Sequence, residues 1–348
     1  MSLPYLHPYL GLSNGLNTLH AAGGGGGAGV GGWVELGRTT LGSAGDNIDI
    51  TSLDDKRYYM LLTYVLDSGS MTPRLRLNSD TGTNYAIRGS TNGGADSTVP
   101  SADTMAMANF SGEDIFQVQY VANYATKEKL VISHSIDQVT AGASTAPSRS
   151  EFVGKHAQTS NPISAVNVVN QNAGSFASGS EVVVLGWDPA DSHTNNFWEE
   201  LGTDSGTGST LDVSFTSKKY LWIQAYVGDA ESIIFQCGNS SVDTGNNYAM
   251  RYSTDGGADA TSTSRANLIP TTGSSNHFLN MFVINNASNE KLFIAHTIAQ
   301  NTAGATNAPS RRELVGKWVN TSNQINVIKL TAGSSYSAES IVKVWGAD

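Results

Sequence analysis

Apolar residues fall along this chain in short runs that mostly alternate with polar ones, a period of two rather than 3.6. Asn47-Ile-Asp-Ile-Thr-Ser-Leu alternates, and Leu75 and Leu77 alternate with Arg74 and Arg76. Asn84-Tyr-Ala-Ile-Arg puts Tyr85 and Ile87 on one face and Asn84, Ala86 and Arg88 on the other. Such alternation predicts half-buried strands. Tyr58-Tyr-Met-Leu-Leu-Thr-Tyr-Val-Leu is apolar almost throughout, which predicts a central strand. Further strands are expected at Ile115-Phe-Gln-Val-Gln-Tyr-Val, Leu130-Val-Ile-Ser-His-Ser-Ile, Phe152-Val-Gly-Lys-His, Ile163-Ser-Ala-Val-Asn-Val-Val and Glu181-Val-Val-Val-Leu-Gly-Trp. Asn92-Gly-Gly supplies the positive-φ residues of a tight reversal. No stretch has the pattern of an amphipathic helix. Short strands separated by turns predict an all-β chain of antiparallel β-sandwiches, jelly-roll-like by strand count.

The pattern occurs twice. Asp80 to Asp96, DTGTNYAIRGSTNGGAD, returns as DTGNNYAMRYSTDGGAD at Asp243 to Asp259. Trp33-Val-Glu-Leu-Gly matches Trp198-Glu-Glu-Leu-Gly, and Glu128-Lys-Leu-Val-Ile-Ser-His matches Glu290-Lys-Leu-Phe-Ile-Ala-His. Thr140 to Lys155 likewise matches Thr302 to Lys317. A repeat of about 150 residues is the size of a self-sufficient domain, well above solenoid periods. The expected organisation is an N-terminal arm and glycine-rich tether at 1–32, a first sandwich at 33–188, a linker at 189–196 and a second sandwich at 197–348.

Composition narrows the function. Charged residues make up 14% of the chain, and 37 glycines accompany abundant Ser, Thr and Asn, which suits β surfaces and loops. A net charge of −10 leaves no basic footprint, so no nucleic-acid partner is expected. No run of 18 apolar residues exists, so no membrane span is expected either. The single Cys237 has no partner for an intrachain disulfide and lies in no zinc-like spacing; it reads as a buried strand residue. The N-terminus lacks the basic start of a signal peptide, pointing to synthesis in a reducing cytoplasm.

Residues 1–20 hold Leu3, Tyr5, Leu6, Tyr9, Leu10, Leu12, Leu16 and Leu19, too few for a core of their own. Left exposed they would be a liability. They read as an assembly arm that docks on another subunit, with a tail folded back on its own domain as the competing reading. The glycines from Gly23 to Gly32 form a flexible tether. They are not followed by the Gly-Lys-Ser/Thr of a phosphate loop.

Candidate chemistry is sparse. His134 and His296 recur at equivalent positions, but Leu130, Ile132, His134 and Ile136 share one strand face. The expectation is that this face points into the first sandwich, with Leu292, Ile294, His296 and Ile298 doing the same in the second. No Gly-x-Ser-x-Gly accompanies either histidine. Asp80-Thr-Gly-Thr-Asn and Asp243-Thr-Gly-Asn-Asn resemble the start of a calcium loop, but they lack the later bidentate Glu and equally fit an Asp/Asn turn. The recurring charges Arg88/Arg251, Arg149/Arg311, Glu151/Glu313 and Lys155/Lys317 read as salt bridges that pin loops, in preference to a paired acid and base. His156 against Trp318, and Met60 against Trp222, are differences between the copies. No enzyme activity, cofactor, metal site or catalytic residue is assigned.

The Gly-rich lead into Trp-x-Glu-Leu-Gly, the Asn-Tyr-Ala-x-Arg core, the Asn/Asp-Gly-Gly-Ala-Asp turn and Ala-Pro-Ser-Arg-x-Glu-x-Val-Gly-Lys together resemble proteins of tailed bacteriophages and related environmental viruses. The resemblance covers nearly all of both repeats but not the first twenty or so residues. It implies a virion component, made in the host cytoplasm, such as a capsid decoration, head fibre or tail appendage built of jelly-roll-like modules. Other virion proteins and further copies of the chain, as a homo-oligomer, are the implied partners. A carbohydrate-binding module or host-surface adhesin, with host glycans as ligand, is the alternative that the same architecture allows.

Overall fold

The structure is a computed structural model that describes residues 32–108, 113–191, 195–230, 232–271, 273 and 275–348. Among them there are strands and no helix. The first repeat runs β1 (Val34–Thr40), β2 (Asn47–Thr51), β3 (Tyr58–Val65), β4 (Pro73–Leu77), β5 (Tyr85–Thr91), β6 (Ser97–Ala102), β7 (Met105–Ala106), β8 (Ile115–Ala122), β9 (Lys129–Asp137), β10 (Ser148–His156), β11 (Ala165–Asn170) and β12 (Glu181–Trp187). An eight-stranded sheet in the order β1-β12-β3-β8-β9-β10-β5-β6 packs on a four-stranded sheet, β2-β11-β4-β7. The chain passes back and forth between the sheets, and each pairing is antiparallel. This is an antiparallel β-sandwich.

The second repeat reproduces the first in all but one short strand: β13 (Glu199–Ser205), β14 (Thr210–Ser214), β15 (Tyr220–Ala230), β16 (Ile234–Asn239), β17 (Ser241–Val242), β18 (Tyr248–Thr254), β19 (Ala260–Arg265), β20 (Ser275–Ile284), β21 (Lys291–Ala299), β22 (Ser310–Trp318), β23 (Val327–Thr331) and β24 (Ile341–Ala347). The exception is β17, which follows β16 directly and pairs with it, whereas β7 follows β6 and pairs with β4; after β19 the second repeat has an isolated bridge between Phe235 and Leu268. Its sheets have the orders β13-β24-β15-β20-β21-β22-β18-β19 and β14-β23-β16-β17. Even the register shift in the first strand recurs, between Glu35 and Gly37 and between Glu200 and Gly202.

The hairpin turns follow the local sequence. Asn92 and Gly93 have φ of 52° and 68°, and the Gly94 amide donates to Thr91 at 3.0 Å. Asp255, Gly256 and Gly257 repeat the arrangement. Strand β6 was not expected: Ser-Thr-Val-Pro-Ser-Ala is polar and contains Pro100, and it is tolerated because it is an exposed edge strand.

Each sandwich has a core between its two sheets, with Leu61, Leu75 and Val168 in the first and Ile223, Phe235 and Ile328 in the second. A third core lies between the domains. There the outer faces of the two eight-stranded sheets meet: Leu62, Tyr64, Phe116, Ile136 and Leu185 pack with Trp198, Tyr220, Phe282, Leu292, Ile294, Val315 and Trp345. This is the reason β3 is apolar but for Thr63. Tyr59, Leu61 and Val65 fill the sandwich, while Met60, Leu62 and Tyr64 face the other domain.

Candidate functional site between the domains

The face of β9 that carries His134 points outward, toward the second domain, and not into the first sandwich as its apolar neighbours suggest. Val131, on the opposite parity, joins the inner core. Ile136 is buried against the second domain, whereas Leu130 and Ile132 are 56% and 49% exposed. In the second domain Leu292 and Ile294 are buried, but in the interdomain core. On β9 the inward face carries Val131 with buried Ser133 and Ser135, and the more apolar face looks outward, so alternation gives the parity and not which side is inside.

On that outer face His134 and His296 meet edge to face, with ring centroids 4.3 Å apart. Beside them Arg149, from β10, is 7% exposed and binds three carboxylates. Its Nε and Nη2 donate to Asp259 at 2.7–3.0 Å, and its Nη1 reaches Glu151 at 2.5 Å and Glu313 at 3.4 Å. The planar guanidinium alone can serve all three with its fixed fork of donors. Burial, with Arg149 adding to it, holds His134 down to about 4. Burial, then His134 and the arginines, hold His296 down to about 3. Both rings are therefore neutral at pH 7.

His134, Glu151 and His296 bring three donor atoms within 4.8 Å of one another, a set that could hold a metal ion. Arg149 already takes the Glu151 carboxylate, and its charge works against a cation in that place. The space among these side chains is about 10 Å³, room for one water at most. The arrangement fastens two domains together and leaves no volume for a substrate.

The other recurring residues resolve in the same direction. Asp80 forms an Asp turn: its carboxylate accepts from the Gly82 amide and from Asn84, both at 2.8 Å, and lies 2.8 Å from His156 Nε2. Asp243 repeats this with Gly245, Asn247 and Trp318 Nε1. His156 and Trp318, different in the two copies, thus serve one role, a ring nitrogen on the same aspartate. The carboxylates that suggested a calcium loop have their oxygens taken up within the turn. Lys317 reaches across the interface to the carbonyls of Gln138 at 3.2 Å and of Thr140, and pairs with buried Glu290, which accepts from the Gly142 amide. Its counterpart Lys155 pairs with Glu128 in solvent. Arg251 donates to the Pro147 carbonyl at 2.8 Å across the interface, while Arg88 pairs with Asp96 in the open.

Some residues went unread in the sequence. Lys129 and Lys291 are fully buried, each ammonium donating to backbone carbonyls, Lys127 and Gln158 at 3.0 and 2.9 Å and Asn289 and Asn320 at 2.9 and 2.7 Å. Glu181 receives the Tyr220 hydroxyl at 2.7 Å and Lys219 at 3.0 Å from the other domain. The signal for Glu181 was there, since the matching position in the second repeat is Ile341. The assembly-arm residues Leu3, Tyr5, Leu6, Tyr9, Leu10, Leu12, Leu16 and Leu19 lie outside the described residues. Away from the interface, an open cleft of about 620 Å³ on the first domain is lined by Arg74, Ile87, Val99, Asp103, Phe152 and Gln171, among others.

No protein-family model matches this sequence, and no curated protein does. Among solved structures, the chain aligns with domains LG4-5 of the mouse laminin alpha1 chain over 90% of both chains, at 10% identity and a TM-score of 0.20. Human GIVD cytosolic phospholipase A2 aligns over 76% of this chain and 33% of its own, at 8% identity and a TM-score of 0.11. The outer membrane protease OmpT of Escherichia coli aligns over 84% and 96%, at 8% identity and a TM-score of 0.11. Similarity this slight says nothing of function.

Proposed function

We propose that this chain is a structural subunit of a virus particle, a capsid decoration, head fibre or tail appendage, attached through the arm and tether at residues 1–32. The observation that carries the reading is the use made of the recurring polar residues. His134, His296, Arg149, Glu313 and Lys317, the side chains that an active site would have drawn on, are spent on locking one sandwich to the other. A two-domain body joined through a glycine-rich segment to a stretch rich in Leu and Tyr is suited to being held on a surface, where those side chains would gain about 1.5–3 kcal/mol for each one fully covered.

The test is binding to particles that lack the protein. The full chain co-sediments with them, while a chain lacking Met1 to Gly32 keeps the thermal unfolding of both domains and stays in the supernatant. Full occupancy by the truncated chain overturns the anchoring role. Saturable binding on a glycan array, without particle binding, would favour the adhesin in its place.

A further inference from the structure

The contact between the domains is not two-fold symmetric, and the halves it leaves unused are complementary. The first domain contributes Tyr64, Phe116 and Ile136, all buried. Their counterparts Tyr226, Phe278 and Ile298 are 37%, 43% and 44% exposed. Conversely the second domain contributes Leu292, Ile294 and Val315, all buried, and the counterparts Leu130, Ile132 and Val153 are 56%, 49% and 50% exposed. A two-fold pairing would have buried both sets or neither. These six side chains are nearly all of the large apolar exposure among the described residues, the remainder being Val99 and Tyr124.

We propose that a second copy of this chain covers each free face: Tyr226, Phe278 and Ile298 of one copy pack on Leu130, Ile132 and Val153 of the next. The contact between chains then repeats the one already made within the chain. A head-to-tail contact of this kind closes into a ring or continues as a filament, according to the rotation at each step.

The polar groups around the faces fit the same partner. Within the chain the segment from Gln138 to Gly142 seats on Lys317 and Glu290. Its counterpart, Gln300 to Gly304, has the same backbone turn, with φ of 59° and 95° at Asn301 and Gly304 against 67° and 95° at Val139 and Gly142, and it is exposed. The seat it would take, Lys155 with Glu128, is open as well. Arg149 is buried on Asp259, whereas their counterparts Arg311 and Asp96 are 60% and 53% exposed. The inference does not depend on what particle the arm attaches to.

Light scattering and sedimentation of the full chain across the micromolar range, with the variants Ile132→Lys and Phe278→Lys, provide the test. The unaltered chain is expected as a multi-chain species. Each variant runs as a monomer with an unchanged circular dichroism spectrum, since both sites are solvent-exposed within the chain, and with a thermal midpoint that no longer depends on concentration. Mixing the two variants gives a two-chain complex and nothing larger, because each supplies the face that the other lacks. A monomeric unaltered chain, or variants that keep its full mass, overturns the proposal. So does a mixture that stays monomeric, which means that each face meets its own kind. Should circular dichroism show either variant misfolded, Val153→Lys and Ile298→Lys test the same two faces.

Discussion

Arg149 and Arg311 occupy the same place in two nearly identical sequence motifs, so replacing each by methionine isolates what the interdomain contact adds. Arg149 is 7% exposed and holds Asp259, itself 2% exposed, in a two-pronged contact while also reaching Glu151 and Glu313. Methionine fills much of the volume but takes the partner of Glu151 away and leaves buried Asp259 with only the longer Arg251 contact at 3.9 Å. Breaking a buried pair from one side costs about 3–5 kcal/mol. Arg311 is 60% exposed within the chain and pairs with Glu313, so in the monomeric Ile132→Lys background its loss should cost under about 1 kcal/mol. Urea unfolding followed by tryptophan fluorescence reads the difference, because Trp198 and Trp345 lie in the interdomain core. Arg149→Lys should recover little, since an ammonium cannot reproduce the forked contact. Equal costs for Arg149→Met and Arg311→Met would refute the reasoning, showing that the buried network contributes no more than its exposed counterpart.

Two further outcomes are expected. His134 and His296 are held below the ordinary 6.5, so they bind fewer protons folded than unfolded between about pH 6.5 and 4; the stability they allow is full above that window and is lost as pH falls through it. A histidine held at about 4 costs about 3 kcal/mol to protonate in place. Asp137, raised by burial to about 6, works in the opposite sense, its contribution being full at low pH and lost as pH rises through about 6. Replacing both histidines with glutamine should therefore leave a protein whose stability, relative to the unaltered chain, rises as the pH of the denaturation series goes from 7 to 4; parallel pH profiles would count against the buried neutral pair. Gly93→Ala should destabilise by about 1–3 kcal/mol more than Gly256→Ala. Both have positive φ, but a Cβ at Gly93 would lie 2.4 Å from Asp259 Oδ1 and 3.0 Å from its backbone nitrogen, whereas the nearest atom at Gly256 is the Arg311 side chain at 3.2 Å. Thermal unfolding of the pair of variants decides it.

The sequence by itself determined most of the strands, the turns and the duplication, because these are local matters; the exposed edge strand β6 was the exception. Alternation sets which residues share a face, Asn92-Gly93 can form the positive-φ reversal that few other pairs allow, and Asp80 closes its own turn with Gly82 and Asn84. It could not determine which face of a strand is the inside, since on β9 the inward face holds Ser133 and Ser135 and the outward one Leu130 and Ile132. Leu130 and Leu292 stand in matching motifs, yet the first is exposed and the second buried, because only one of them lies where the other domain arrives. The same holds for Lys155 and Lys317, for Arg311 and Arg149, and for Ile298 and Ile136. Their difference is set by how two similar bodies are placed against each other, and that placement is fixed by side chains far apart in the chain, Tyr64 and Phe116 on one side and Leu292 and Val315 on the other. A repeat tells the chain to build the same surface twice. Packing the copies off the two-fold axis covers a different half of each, and this asymmetry, present in no local stretch of sequence, leaves both remaining halves open.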